Sequence, residues 1–173
     1  MRSVTWTRSS AGTLDAQNKL HRSQGTAVFL AGNPEGTPNA LIKNIKHNQI
    51  LHRQNILLTI LTDHSRPYVP ADERVQITDR TEGFYRIIAS FGFMETPHID
   101  EVIRASAQAG LTIHRDKTTF FIGKERIVVT PKPGIAMWRE HLFAFLSKNA
   151  ENAADFFQLP PDRVYEVSQV VEI

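Results

Sequence analysis

Two short, continuously apolar runs separated by a polar stretch constrain the fold of this chain more than any other feature. The first run is GTAVFLAG, residues 25–32, and the second is NILLTILT, residues 55–62. Apolar runs of this length without polar alternation are typical of strands buried on both faces of a sheet. A strand, a helix and a second strand within about 38 residues predict a βαβ unit, with parallel strands and a right-handed crossover.

The stretch between the two runs predicts the helix of that unit. Thr37 and Pro38 resemble an N-cap followed by proline at the first helical position, so we expect a helix from about Asn39 to His52. Helical spacing then predicts a buried stripe and an opposite polar side. The stripe contains Leu41, Ile42 and Ile45, extended by Asn48, Gln49 and His52, and the other side contains Lys43, Lys46, His47 and Ile50.

The remainder of the chain adds a hairpin, helices and two further strand regions. RVQIT and FYRIIASFGF flank DRTEG, which predicts an antiparallel hairpin with Val75 and Ile77 on its apolar face and Arg74 and Gln76 on its wet face. PHIDEVIRASAQAG predicts an amphipathic helix capped near Gly110. TTFFIGKERIVVT predicts one bent strand or two short ones, IAMWREHLFAFLSKNA a helix, and the C-terminal residues a final strand.

These elements predict the fold class α/β. We expect a single domain over residues 25–173, with a mixed β-sheet that contains a parallel βαβ unit and an antiparallel hairpin, flanked by helices. Residues 1–24 are rich in Ser and Thr, and we expect them to form a linker or N-terminal arm.

Composition excludes several classes of function. The chain has no cysteine, which excludes disulfides, thiolate metal sites and cysteine nucleophiles. Lys+Arg is 20 and Asp+Glu is 18, so the net charge is only +2, and no Lys/Arg-dense block indicates nucleic-acid binding. No apolar run approaches the length of about 20 residues that spans a bilayer, and the N-terminus lacks the apolar core of a signal peptide.

The stretch LIKNIKHNQILHR, residues 41–53, allows three interpretations. A two-histidine metal site on a helix needs a spacing of four, whereas His47 and His52 are five apart and diverge by about 140°. The stretch could simply be a solvated helix face. It could also belong to an anion or nucleotide site, because a glycine-bearing loop and a helix start follow a buried strand.

No motif indicates an enzyme. The Walker loop, the G-x-G-x-x-G loop and G-x-S-x-G are all absent from the sequence. Asp63 and His64 follow the second strand and are the best candidates for a small hydrolase, but they lack a nucleophile. Lys124 and Arg126 could face a phosphate, although such residues at a strand turn are usually solvated. We therefore predict no catalytic residues, no metal site and no cofactor.

Read together, the segments resemble the cytosolic C-terminal domain of bacterial KUP/HAK/KT potassium uptake transporters. The resemblance rests on GTAVFLAGNPEGTPNALIKNIKHNQILHRQNILLTI, GFYRI, FGFMETP, TTFFIGKE, PGIAMWREHLFAFLSKNA, ADFFQLPPDRVYEV and the terminal VEI, in order over residues 25–173. Departures are few: family members often have histidine in place of Lys43, an acidic residue in place of Arg53 and arginine in place of Lys124.

The resemblance implies a non-transporting regulatory or assembly domain of a potassium:proton symporter. It implies a place on the cytoplasmic side of the bacterial inner membrane, beside the transmembrane part of the parent transporter, and a homodimer. It also implies a cyclic dinucleotide such as cyclic di-AMP as a possible ligand. The alternative is a free-standing nucleotide-binding module. In either case the expected ligand residues are Asn33, Thr37, Asn44, His47 and Asn48, with helix N–H groups on phosphates and amides on base edges.

Overall fold

A six-stranded β-sheet organises the chain. The computed structural model describes residues 20–81, 83–128 and 157–172. The strands are β1 (His21–Leu30), β2 (Ile50–Asp63), β3 (Val75–Thr81), β4 (Phe84–Gly92), β5 (Thr118–Val128) and β6 (Val164–Glu172). The α-helices in these ranges are α1 (Asn39–Lys43) and α2 (Ile99–Gln108). Across the sheet the strands lie in the order β3-β4-β2-β1-β5-β6.

The pairing confirms the predicted fold class. β1 is parallel to both β2 and β5, β4 is parallel to β2, and β6 is parallel to β5. β3 and β4 form the predicted antiparallel hairpin. The segment that allowed one strand or two forms the single strand β5. The helix predicted from IAMWREHLFAFLSKNA lies outside the described residues.

Two apolar layers cover the two faces of the sheet. Ala27 and Phe29 of β1 pack with α1 in one layer, whereas Val28 packs with α2 in the other. All three side chains are buried, as the unbroken apolar run predicted. Successive side chains of a strand point to opposite faces of the sheet. A strand that is covered on both faces therefore carries apolar residues at consecutive positions.

The first helix is shorter than predicted. α1 ends at Lys43, one π-helical turn follows over Asn44–Asn48, and β2 begins at Ile50. Gln49 ends the helical segment in the left-handed conformation, at φ 54. The prediction that the helix reaches His52 is therefore wrong: His52 lies in β2, paired with Ser23.

The predicted stripe of that helix is only partly right. Leu41 and Ile45 are buried, but Ile42, Asn48 and Gln49 are exposed. The buried Asn44 occupies the inner side instead. A π turn contains more residues than an α turn because its hydrogen bonds span i→i+5, so spacing based on 3.6 residues per turn no longer identifies the inner face.

Arg74, directly before β3, was expected on the solvent-exposed face of the hairpin, but it is buried. Its side chain is only 8% exposed and forms a 2.6 Å ion pair with Glu95 Oε1. Its guanidinium lies 4.4 Å from the centre of the Phe91 ring and donates to the carbonyl of Val69. Arg74 thus holds the proline-bearing loop between β2 and β3 against the end of β4.

Glu95 is the acceptor on which this loop depends. Burial would raise its pKa, but the hydrogen bonds from Arg74 and from the backbone N–H groups of Gly92 and Val69 outweigh burial. The pKa of Glu95 is therefore lowered. A group with a lowered folded-state pKa stabilises the fold above its unfolded pKa, and that stability is lost as the pH falls through the folded pKa.

Glu95→Gln should lower the free energy of unfolding by about 3 kcal/mol near pH 7, because the buried Arg74 loses its nearer and more buried charge partner and keeps only the more exposed Glu101, 3.5 Å away. Urea unfolding at a series of pH values would measure this loss. The difference from wild type should shrink as the pH falls below the ordinary glutamate pKa of 4.5. Glu73→Gln removes an exposed partner of Arg66 and should cost less than about 1 kcal/mol. A Glu95→Gln deficit that stays constant down to about pH 3 would contradict this assignment.

Candidate functional site

The winding of the sheet reverses between β1 and β5. From β1 the chain passes through α1 to β2 on one side, and after β4 it passes through α2 to β5 on the other side. The two connecting helices pack in the two different apolar layers. In open α/β sheets, ligands bind beyond the carboxyl ends of the strands where such a reversal leaves a gap.

A cleft of about 230 Å³ lies at this place, and we call it the switch crevice. Its walls come from the end of β1 and the loop after it, from α1, and from β5 and β6. The lining residues are Leu30, Ala31, Gly32, Asn33, Gly36, Thr37, Pro38, Asn39, Lys43, Gly123, Lys124 and Val167. The volume suits a small ligand or one group of a larger ligand.

Two lysines give the switch crevice its charge. Lys43 Nζ donates to the carbonyl of Ser168 in β6 at 2.8 Å. Lys124 Nζ lies 3.5 Å from Glu166 Oε2 and is exposed. Two ammonium groups beside the amides of Asn33 and Asn39 and the hydroxyl of Thr37 form a set of donors that suits an anion.

The loop between β1 and α1 is held in place from β4. Arg86 donates to the carbonyl of Pro34 and, at 3.1 Å, to the carbonyl of Gly36. Within the loop, Asn33 Oδ1 accepts from the backbone N–H of Glu35 at 2.9 Å. These bonds give one wall of the switch crevice a defined shape before any ligand binds.

The residues predicted from sequence divide into two groups. Asn33 and Thr37 line the switch crevice. Asn44 is buried; its Nδ2 donates to the carbonyl of Ile50, and its Oδ1 accepts from Asn48 Nδ2, each at 2.8 Å. His47 and Asn48 are exposed, and neither lines the switch crevice. Direct ligand contact by any of the five remains a prediction.

Lys43 is the residue that sequence reasoning missed. It was placed on the polar side of the helix, without a site, because its β6 partner lies 125 residues further along the chain. Lys124 was considered with Arg126 for a phosphate, but such residues at a strand turn are usually solvated. No local pattern places the two lysines together, since Lys43 on α1 and Lys124 on β5 line the same cleft only in the folded sheet.

The Asp63 carboxylate stabilises the turn that follows β2. It accepts from the hydroxyl and the backbone N–H of Ser65 and from Arg66 Nε, and these bonds lower the pKa of Asp63 to about 2. The described hydrogen bonds of this carboxylate therefore go to Ser65 and Arg66 rather than to His64. Within the described ranges, no three His, Asp or Glu side chains are grouped closely enough to hold a metal ion.

Comparison with known proteins identifies close relatives. Residues 24–173 match the family model described as the K+ potassium transporter C-terminal domain. The chain is 47% identical over 152 residues to the probable potassium transport system protein Kup of Myxococcus xanthus (strain DK1622), which covers 88% of this chain and 23% of that protein. It is 43% identical over 153 residues to the probable Kup 1 of Geobacter sulfurreducens (strain ATCC 51573 / DSM 12127 / PCA), covering 88% and 24% respectively.

A third relative is the probable Kup 2 of Chromobacterium violaceum (strain ATCC 12472), 44% identical over 152 residues, or 88% of this chain and 24% of that protein. The chain thus spans about a quarter of the length of the curated relatives it matches. No solved structure matches it. In the part of the chain that the structure describes, none of the helices is long and apolar enough to cross a membrane.

Asn44→Ala should lower the free energy of unfolding by about 1–3 kcal/mol, because the carbonyl of Ile50 loses this donor in a part-buried junction. Chemical denaturation would measure the loss. His47→Ala is the matched control on the same turn and should stay within about 0.5 kcal/mol of wild type, as an exposed position does. Equal stability of the two variants would show that Asn44 does not hold the helix–strand junction.

Proposed function

The chain belongs to the family of K+ potassium transporter C-terminal domains, and from that premise we propose that it is a regulatory domain of a potassium:proton symporter. The match over residues 24–173, together with relatives about four times as long, carries the proposal. The domain lies on the cytoplasmic side of the membrane beside the transmembrane part of the parent, pairs there as a homodimer, and does not itself transport potassium.

The described residues form an open sheet with β3 and β6 at its two edges. Apolar side chains such as Phe29 and Phe120 cover its two faces, and this globular packing supports a role apart from the ion path.

The switch crevice supplies a means of regulation. Lys43 ties α1 to β6 through the carbonyl of Ser168, and Lys124 of β5 faces Glu166 of β6. An anion that draws both ammonium groups inward competes with these contacts and loosens the hold on β6. A ligand with different affinities for the two arrangements shifts the population between them.

Potassium uptake in a bacterial strain that lacks its own potassium uptake systems tests the regulatory role. Three proteins are compared: the Myxococcus xanthus relative without its C-terminal quarter, the same protein with this chain fused in that place, and this chain alone. The chain alone should give no uptake. Fusion should change the uptake rate by about fivefold or more, the lower end of ordinary allosteric coupling.

Immunoblots of the membrane fraction control for protein abundance in this assay. Uptake by the chain alone would overturn the non-transporting role. Equal uptake per molecule with and without the fused chain would overturn the regulatory role.

A second function, nucleotide binding, is favoured by the position of the switch crevice at the winding reversal. The paired lysines suit phosphate, and the amides of Asn33 and Asn39 suit a base or sugar edge. The ligand class is then an adenine nucleotide, including cyclic di-AMP. This function is compatible with regulation of a transporter and also with a free-standing module.

Titration calorimetry with cyclic di-AMP, ATP and AMP tests nucleotide binding. The double variant Lys43→Met/Lys124→Met should bind at least about tenfold more weakly than wild type, because each charged hydrogen bond contributes about 1.5–3 kcal/mol. Lys46→Met is the control, since Lys46 is exposed and lies outside the switch crevice. No heat from any nucleotide would leave a purely structural pairing domain, and equal weakening by Lys46→Met would show that the nucleotide does not bind in the switch crevice.

A further inference from the structure

Three large side chains form an exposed surface beyond the carboxyl ends of β2 and β4. Tyr68 is 60% exposed, Phe93 is 53% exposed and Met94 is 62% exposed. We call these three residues the exposed apolar patch. Aromatic residues and methionine are enriched in protein interfaces, and contiguous exposed apolar area often marks a binding surface.

The backbone under the exposed apolar patch is fixed by hydrogen bonds. Phe93 N–H donates to the carbonyl of Arg66 at 3.0 Å, and Met94 N–H donates to the carbonyl of Pro67 at 3.1 Å. The two segments approach so closely that a Cβ on Gly92 would lie 2.2 Å from the oxygen of Pro67. The patch is therefore presented to solvent by a rigid frame.

The rim of the exposed apolar patch is acidic. Asp72 and Glu73 are exposed on the loop that carries Tyr68, and Asp63 ends the neighbouring strand. Arg66 is already paired with Asp63 at 2.9 Å and with Glu73 at 2.6 Å. An acidic rim is repelled by the anionic cytoplasmic leaflet, but it attracts the Lys/Arg excess that cytoplasmic loops of membrane proteins carry.

The area of the patch favours a tethered partner over a free one. The three side chains expose roughly 350 Å² together, taking about 200 Å² for a whole side chain of this size. A stable interface between free proteins buries about 800 Å² on each partner. A smaller contact suffices within one polypeptide, where the effective concentration is in the millimolar range.

We infer that the exposed apolar patch docks this domain onto a Lys/Arg-bearing cytoplasmic loop of the membrane-embedded part of its parent protein. The inference rests on the proposed function, because it requires such a parent. Apolar side chains of that loop pack on Phe93 and Tyr68, and its cations face Asp72 and Glu73.

Photo-crosslinking tests the docking in the fusion of this chain with the Myxococcus xanthus relative. A benzophenone amino acid replaces Tyr68 or Phe93, and the products formed in cells are mapped by mass spectrometry. Tyr165 is the matched control, since it is an aromatic residue that is 59% exposed on β6, away from the patch. Crosslinks from positions 68 and 93, but not from 165, should map to cytoplasmic loops of the membrane part.

Charge reversal adds a second readout. Asp72→Lys with Glu73→Lys should reduce the crosslink yield severalfold, and thermal unfolding of the isolated chain with the same changes should stay near wild type. Crosslinks only to lipid, only to a second copy of this domain, or equally strong from position 165, would each overturn the inference, as would their absence.

Uptake by the unmodified fusion separates this inference from the proposed function. Crosslinks without any effect of the domain on uptake would leave docking intact and remove regulation. An effect on uptake without crosslinks from the patch would leave regulation intact and remove docking.

Discussion

The pairing of β1 with strands on both of its sides is the constraint on which the rest of the structure depends. β1 is parallel to β2 on one side and to β5 on the other, and its residues Ala27, Val28 and Phe29 are buried. Since the connecting helices pack on opposite faces, the winding must reverse at β1 and β5. That reversal leaves the gap in which the switch crevice forms, so the site follows from the topology rather than from a local motif.

The same topology places both candidate surfaces at one edge of the sheet. Because β1, β2, β4, β5 and β6 are parallel, their carboxyl ends share an edge. The switch crevice lies at the β1 and β5 end of that edge, and the exposed apolar patch lies at the β2 and β4 end. Arg86 of β4 bonds the carbonyls of the β1–α1 loop, so one strand supports both surfaces. Ligand binding and docking on a membrane partner are thus mechanically connected in our proposal.

Hydrophobic pattern and turn residues predicted much of this fold, and the predictions that failed did so for physical reasons. Apolar runs and turn residues predicted the βαβ unit, the hairpin and α2, because these depend on local periodicity. The end of the first helix was missed because Gln49 adopts a left-handed conformation that its residue type does not announce. The burial of Arg74 was missed because its partner Glu95 lies 21 residues away, across the hairpin. In the candidate site, Asn33 and Thr37 were named from the sequence and line the switch crevice. Lys43 was not named, because its position in the crevice depends on its contact with β6.

Nuclear Overhauser effects between backbone protons of β1 and β5 test the central claim most directly. The account predicts cross-peaks that connect Ala27–Phe29 with Thr119–Phe121 in a parallel register, on a uniformly labelled sample of the chain. Cross-peaks from Ala27–Phe29 to β2 alone, with β5 paired elsewhere in the sheet, would contradict it. The winding would then not reverse at β1, and neither the switch crevice nor its lysines would have a structural basis.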